Sequence, residues 1–233
     1  MQRLALNAFR DASVLRDYSS RVAHLQSAQQ RRGRVRICLV DDEPFTAQRN
    51  LASYGFTVDQ IGDIKSVEEV RPYHIVLCDI LGVGKFFNER LQGAALISEI
   101  KATYPEKVVF AYTGAAGTVT AARSASERAD RVIKKDIDIG DIVDILDDAA
   151  KDVLDPFVTW NKLRSRFVQM EVSTKQILLL EDAYVKSVQE FDPNLRSLLD
   201  AGKRPEVQQD VRAILQNLAA SLVLSAVMPG AST

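Results

Sequence analysis

The sequence predicts a doubly wound α/β fold, a five-stranded parallel sheet in a (βα)5 arrangement, followed by an all-helical domain. Three observations predict it. Short continuous apolar runs recur, led by His74-Ile75-Val76-Leu77-Cys78-Asp79-Ile80 between Pro72 on one side and Gly82 and Gly84 on the other; such runs read as strands buried on both faces. Segments of helical period, with their own start and stop signals, alternate with these runs to about residue 150, the pattern of βαβ units. After Asp155-Pro156 the strand signals stop.

Residues 1 to about 33 read as a helix. Leu4, Leu15, Tyr18, Val22 and Leu25 fall mostly on one face, and Gln29-Gln30-Arg31-Arg32-Gly33 supplies the stop. Its arginines suit a solvated helix that packs one face on its own domain or on a partner subunit; an arm for an acidic partner or nucleic acid is the alternative. The first strand, Val35 to Val40, leads to a helix opening at Pro44 and stopped by Gly55. Phe56 to Ile61 is the second strand. Ser66-Val67-Glu68-Glu69 is a capping box for a short helix that Pro72 limits. The His74–Ile80 strand follows, then a long loop over 81–92 and a helix from Gly93 to Tyr104 that ends before Pro105. Lys107 to Tyr112 is the fourth strand, Thr118 to Ala129 a helix, Arg131 to Lys134 the fifth strand, and Asp141 to about Val153 an acidic amphipathic helix. Asp155 with Pro156 starts the next helix, and Ser173-Thr174-Lys175-Gln176, with Val172 and Ile177 as a staple, starts another. Asp192-Pro193 opens a short helix stopped by Gly202, and Pro205 opens the last, which carries Val207, Val211, Ile214, Leu215, Leu218 and Leu222. The domains are therefore an N-terminal helix over 1–33, an α/β domain over 34–152 and a helical domain over 153–233.

Composition narrows the function classes. The formal net charge of -1 over 233 residues argues against a broad nucleic-acid surface. No apolar stretch reaches the ~18 residues of a membrane span, and the N-terminus lacks the apolar core of a signal peptide. Cys38 and Cys78 both fall inside buried strands without Cys-x-x-Cys spacing, which fits reduced core residues and a cytoplasmic protein. His24 and His74 are the only histidines, so neither a histidine metal site nor a Ser-His-Asp triad is expected. Gly82-Val83-Gly84-Lys85 lacks the spacing and the Ser/Thr of a phosphate loop, and Leu81 stands where a haloacid-dehalogenase-type phosphatase needs a second aspartate.

The chemistry gathers at strand ends. Asp41-Asp42-Glu43 follows the first strand, Asp79 ends the third, Thr113-Gly114 follows the fourth, and Lys134-Lys135 closes the fifth. Open α/β sheets bind ligands in the crevice outside the carboxyl ends of their strands. Several carboxylates in one crevice are costly unless a cation compensates them or protonation relieves them.

Four segments in this order, Ile37-Cys38-Leu39-Val40-Asp41-Asp42-Glu43-Pro44, Ile75-Val76-Leu77-Cys78-Asp79, Ala111-Tyr112-Thr113-Gly114 and Ala129-Asp130-Arg131-Val132-Ile133-Lys134-Lys135, resemble the receiver domain of bacterial two-component response regulators. The resemblance covers roughly residues 34–152. It implies a flavodoxin-like strand order 2-1-3-4-5 and phosphorylation of Asp79 by a histidine kinase or phosphotransfer protein. It implies Mg²⁺ held by Asp41, Asp42, Asp79 and the Leu81 carbonyl, with Lys135 and Thr113 on the phosphoryl group. It implies no enzymatic activity beyond taking up that group and slowly hydrolysing it. Three features depart from the family pattern: Val132 where many receivers carry a switching Tyr or Phe, Asp136 where a proline often follows the lysine, and the lengthened loop carrying Lys85, Phe86, Phe87 and Arg90.

Output is expected through protein–protein contact or homo-oligomerisation of the flanking helices. A non-phosphorylated pseudo-receiver adaptor is the first alternative and a DNA-binding transcriptional regulator the second. Basic and acidic side chains nearly balance in the helical domain, and Lys162, Arg164 and Arg166 are its nearest approach to a basic recognition helix.

Overall fold

A computed structural model of the chain describes residues 15–17, 27–44, 47–114 and 120–221. The chain divides into two compact units, Ala28–Lys151 and a second formed by Met1–Ser27 with Asp152–Thr233.

The first unit runs α1 (Ala28–Arg34), β1 (Arg36–Val40), α2 (Gln48–Ser53), β2 (Thr57–Ile61), a 3₁₀ turn (Val67–Val70), β3 (Ile75–Asp79), α3 (Gly93–Thr103), β4 (Val108–Thr113), α4 (Thr120–Ser126), β5 (Arg131–Lys134) and α5 (Ile139–Val153). The five strands form one parallel sheet in the order β2-β1-β3-β4-β5. This is the flavodoxin-like doubly wound arrangement, and its topological switch point lies between β1 and β3. Every residue of β3 and β4 is buried, so these strands read as unbroken apolar runs; the edge strands β2 and β5 are mostly half-buried or exposed and read as mixed.

Several boundaries move for physical reasons. Of the expected 1–33 helix, residues 15–17 are helical, Ser27 is not, and residues 1–14 and 18–26 lie outside the described residues. Gly33 does not stop the helix. It lies inside α1, whose ladder continues as the Val35 N–H donates to the Arg31 carbonyl. The Arg32 guanidinium grips both Asp147 oxygens at 2.8 and 2.6 Å and lies 5.2 Å from the centre of the Phe56 ring, fastening α1 to this unit. The helix expected from Pro44 starts at Gln48, although Gly55, at φ +92°, terminates it as foreseen. Ser66 and Glu69 form the full reciprocal capping box.

At the amino-terminal edge of the sheet, Lys107 is fully buried. Its ammonium donates to the Arg71 carbonyl at 3.0 Å and to the Tyr73 carbonyl, and it faces the Tyr104 ring at 4.9 Å. Burial lowers its pKa. His74 is buried at the same edge, its carbonyl accepting from the Val108 N–H at 3.2 Å and its Nδ1 accepting from the Arg36 N–H at 2.9 Å, a structural role. Cys38 and Cys78 are free thiols in the core, and burial raises both pKa values, which makes them inert.

The second unit contains α6 (Pro156–Gln169), α7 (Thr174–Gln189), α8 (Arg196–Gly202) and α9 (Gln209–Ala220). Trp160 stacks on Tyr184 at 5.2 Å and meets Phe167 edge-on at 6.3 Å, while the Tyr184 hydroxyl donates to the Pro156 carbonyl. In the Ser173 cap only half of the box forms. The hydroxyl accepts from the Gln176 N–H, but Gln176 Oε1 accepts from the Ser173 hydroxyl at 3.1 Å rather than from the Ser173 N–H, while its NH2 donates to the Glu206 carbonyl. The last two helices start later than their prolines suggest, at Arg196 and Gln209. Asp192 spends its carboxylate on the Asn194 and Arg196 N–H groups before α8 begins, and Gln208 is the extended residue that precedes α9. Val211, Ile214, Leu215 and Leu218 are buried, whereas Leu222 lies outside the described residues. Asp155 caps α6 through the Phe157 and Val158 N–H groups. Asp155→Ala is therefore expected to cost about 1 kcal/mol, read as a shift in urea midpoint at unchanged slope.

Candidate functional site

The register of the sheet builds the site. Val40 pairs with Cys78, so Asp41 and Asp79 leave adjacent strands side by side. Asp79 pairs with Tyr112, and Thr113 with Lys134, which brings the ends of β4 and β5 to the same edge. The Lys135 N–H donates to the Thr113 carbonyl at 3.0 Å and extends that alignment one residue further.

Asp41 and Asp79 are buried and Asp42 is exposed; carboxylate oxygens of all three lie within 4.8 Å of one another. The Lys135 ammonium stands 2.8 Å from Asp41 Oδ2, 2.8 Å from Asp79 Oδ2 and 3.5 Å from Glu43 Oε2. The remaining oxygens are held by the backbone. Asp79 Oδ1 accepts from the Ile80 N–H at 2.6 Å and from the Leu81 N–H at 3.4 Å, and Asp41 Oδ1 accepts from the Glu43 N–H at 2.9 Å. Burial raises the Asp79 pKa, Asp41 adds to the rise, and the hydrogen bond from Lys135 opposes it. Burial pulls the Lys135 pKa down, but its hydrogen bonds to Asp41 and Asp79 outweigh that and leave it raised.

The sheet thus brings Asp41, Asp42, Asp79 and Lys135 together. Thr113 is buried at the end of β4, and residues 115–119 beyond it lie outside the described residues. Leu81 is 39 % exposed, so its side chain contributes nothing to the cluster, while its peptide follows Asp79 by two residues. Val132 is 41 % exposed on β5 where the family pattern has an aromatic ring. The aromatic residue near Lys135 is instead Tyr112, with its ring centre 5.9 Å from the ammonium.

Sequence reasoning missed the supports of the 81–92 loop. A Cβ on Gly93 would overlap the Asp79 carbonyl oxygen, and one on Gly82, at φ +91°, would overlap the Asp42 carboxylate. Asp63 Oδ1 accepts from the Gly84 N–H at 2.6 Å, Asn88 Oδ1 from the Arg90 and Leu91 N–H groups, and Gln92 Oε1 from the Gly82 N–H at 2.9 Å. Only the clustering of Gly82, Gly84 and Gly93 around a strand-end aspartate signalled backbone crowding. Because the Gly93 obstruction is backbone, Gly93→Ala is expected to destabilise by about 3 kcal/mol, measured by urea unfolding, and to displace Asp79.

The fold class and the site define an α/β protein with a strand-end acidic cluster closed by one lysine. No family model and no curated protein matches the chain. Among solved structures it is similar to a CheY-like response regulator receiver domain protein from Methanospirillum hungatei JF-1, at 20% identity and a TM-score of 0.39, covering 50% of this chain and 93% of that one. It is also similar to NtrX from Brucella abortus, at 23% identity and a TM-score of 0.40, covering 59% of this chain and 28% of that one. A third is a response regulator protein from Burkholderia pseudomallei with a phosphorylated aspartic acid, a calcium ion and citrate, at 16% identity and a TM-score of 0.40, covering 73% of this chain and 99% of that one. The fold assignment rests on the strand order and register. Among the described residues no helix is long and apolar enough to cross a membrane.

Proposed function

We propose that the α/β unit is a phosphoacceptor receiver in which Asp79 takes a phosphoryl group from the phosphohistidine of a kinase or phosphotransfer protein. The observation that carries this reading is the Lys135 ammonium, 2.8 Å from both Asp41 and Asp79 at the carboxyl edge of the sheet. A lone buried aspartate with raised pKa is a poor nucleophile; one held ionised by a lysine, with two further carboxylates able to hold a divalent cation, is equipped for phosphoryl transfer.

The residues fit Mg²⁺. Asp41, Asp42 and Asp79 offer carboxylate oxygens, one of them on an exposed residue, and the Leu81 carbonyl adds a neutral ligand; this is the sparse, open oxygen set that magnesium accepts. When bound, the ion would neutralise charge on the transferring group. An Asp79 oxygen attacks phosphorus, the O–P bond forms and the P–N bond breaks. The departing imidazole nitrogen keeps the electron pair of that bond and takes a proton from solvent. Lys135 moves its hydrogen bond from the carboxylate to the new phosphoryl oxygens, and the Thr113 hydroxyl donates to the same group. Water later hydrolyses the acyl phosphate. No other catalysis is assigned to the chain, and output passes through protein–protein contact or homo-oligomerisation of the helical segments.

The test is intact mass and sizing chromatography of the full chain after incubation with Mg²⁺ and acetyl phosphate. Uptake of one phosphoryl group with a changed elution volume is the expected result; no uptake despite bound Mg²⁺ would overturn the phosphoacceptor reading for that donor. The exposed Val132 in place of an aromatic ring favours one second reading, a constitutive adaptor that does not switch. Absence of phosphoryl uptake, with partner binding unchanged by the donor, would select it.

A further inference from the structure

We infer that Gln92 is a positioning residue of the cation site, setting the direction of the Leu81 carbonyl from the far end of the loop. This rests on the proposed Mg²⁺ site and adds to it a residue outside the strand-end set. The Gly82 N–H and the Leu81 C=O belong to one peptide group. In a trans peptide they point in opposite directions, so whatever holds the N–H aims the carbonyl. Gln92 Oε1 holds that N–H at 2.9 Å. Gly82 itself lies against Asp42, as the overlap of a Cβ with that carboxylate shows, so this peptide borders the acidic cluster.

The loop is built to keep Gln92 there. The Gln92 N–H donates to the Asn88 carbonyl at 2.7 Å, and the Asn88 N–H donates to the Gly84 carbonyl at 3.2 Å. Gly84 is anchored on Asp63, and Phe87 packs against the hydrophobic core. Next to Gln92, Gly93 permits close approach to the Asp79 backbone, and its N–H donates to the Ile80 carbonyl at 3.2 Å. Gln92 pays for this position with a left-handed backbone, φ 48° and ψ −124°, a conformation that glycine adopts without strain. A residue kept there against its own backbone preference, with its side-chain amide on the peptide beside Asp42, does the work of an outer-shell metal support.

That strain makes the test clean, because Gln92→Gly removes the amide while relaxing the backbone. Mg²⁺ binding to the full chain is measured by calorimetry, with unfolding temperature measured in parallel. Wild type is expected to bind one ion and Asp42→Asn to lose it. Gln92→Gly is expected to bind about 10-fold more weakly with an unfolding temperature equal to or above wild type. Gln92→Glu keeps an oxygen acceptor for the Gly82 N–H and is expected to restore affinity to the wild-type value or better. Binding by Gln92→Gly at wild-type strength, with Asp42→Asn still deficient, would overturn the role of Gln92 alone. Failure of wild type to bind, or retention of binding by Asp42→Asn, would overturn the cation site itself.

Discussion

Asp79→Asn is expected to abolish phosphoryl uptake from acetyl phosphate while leaving the chain folded. The amide is nearly isosteric with the carboxylate, can still accept from the Ile80 N–H and leaves Lys135 paired with Asp41. What disappears is the carboxylate oxygen that stands 2.8 Å from Lys135 at the end of β3, the proposed nucleophile. Because burial holds the Asp79 pKa up, its ionised form is an electrostatic cost to the folded state, and removing that charge is expected to leave stability unchanged or slightly higher. Intact mass reads the first effect and urea unfolding the second. A phosphorylated Asp79→Asn chain would mean the acceptor lies elsewhere.

Lys135→Ala is expected to cost about 2–3 kcal/mol at neutral pH and to lose phosphoryl transfer. Removing one partner of a buried ion pair leaves an uncompensated charge, worth about 3–5 kcal/mol when burial is complete. The Lys135 side chain is 24% exposed against 4% and 8% for its partners Asp41 and Asp79, which puts the cost below that range. The pH dependence has a definite sign. Without the lysine, the opposition to the burial-driven rise of the Asp79 pKa is gone, so Asp79 retains its proton in the folded state at pH values where the unfolded chain has released it. Stability therefore falls as pH rises past the ordinary carboxylate range near 4, and below it the deficit shrinks. In the wild type the raised pKa of Lys135 works oppositely: its contribution is fully present below the ordinary lysine value and is lost only as pH climbs through the folded value. Millimolar Mg²⁺ is expected to restore part of the lost stability, because it supplies positive charge to the same oxygens. Urea unfolding at acid, neutral and alkaline pH, with and without Mg²⁺, checks these stability statements. A deficit independent of both would show that Lys135 serves packing rather than charge.

Much of the architecture was legible because it is written in local patterns. Strand-like runs marked all five strands, four of them with a carboxylate, a threonine or a lysine at the carboxyl end, and a parallel sheet necessarily gathers such ends at one edge. Asp41, Asp42, Asp79 and Lys135 came together for that reason. The caps at Ser66 and Asp155 were legible because their side chains bond to backbone two or three residues away. The errors fell where a distant partner decides. Gly33 reads as a helix stop, yet α1 runs one residue past it, to Arg34, and the neighbouring Arg32 is held by Asp147. Gln176 reads as half of a capping box, yet its Oε1 takes the Ser173 hydroxyl instead of the Ser173 N–H while its NH2 reaches the Glu206 carbonyl.

By itself, then, the sequence determined the five strands, their direction and the residues that meet at their ends. These depend on periodicity and on short-range hydrogen bonds. Only the tertiary structure decided that Lys135 sits equally on Asp41 and Asp79, that Lys107 can be buried against the Arg71 and Tyr73 carbonyls, and that Gln92 accepts a left-handed backbone to hold the Gly82 N–H. Each of these is a polar group whose cost is met by a partner distant in sequence. The preference of a single residue type carries no information about such partners until the chain closes on itself.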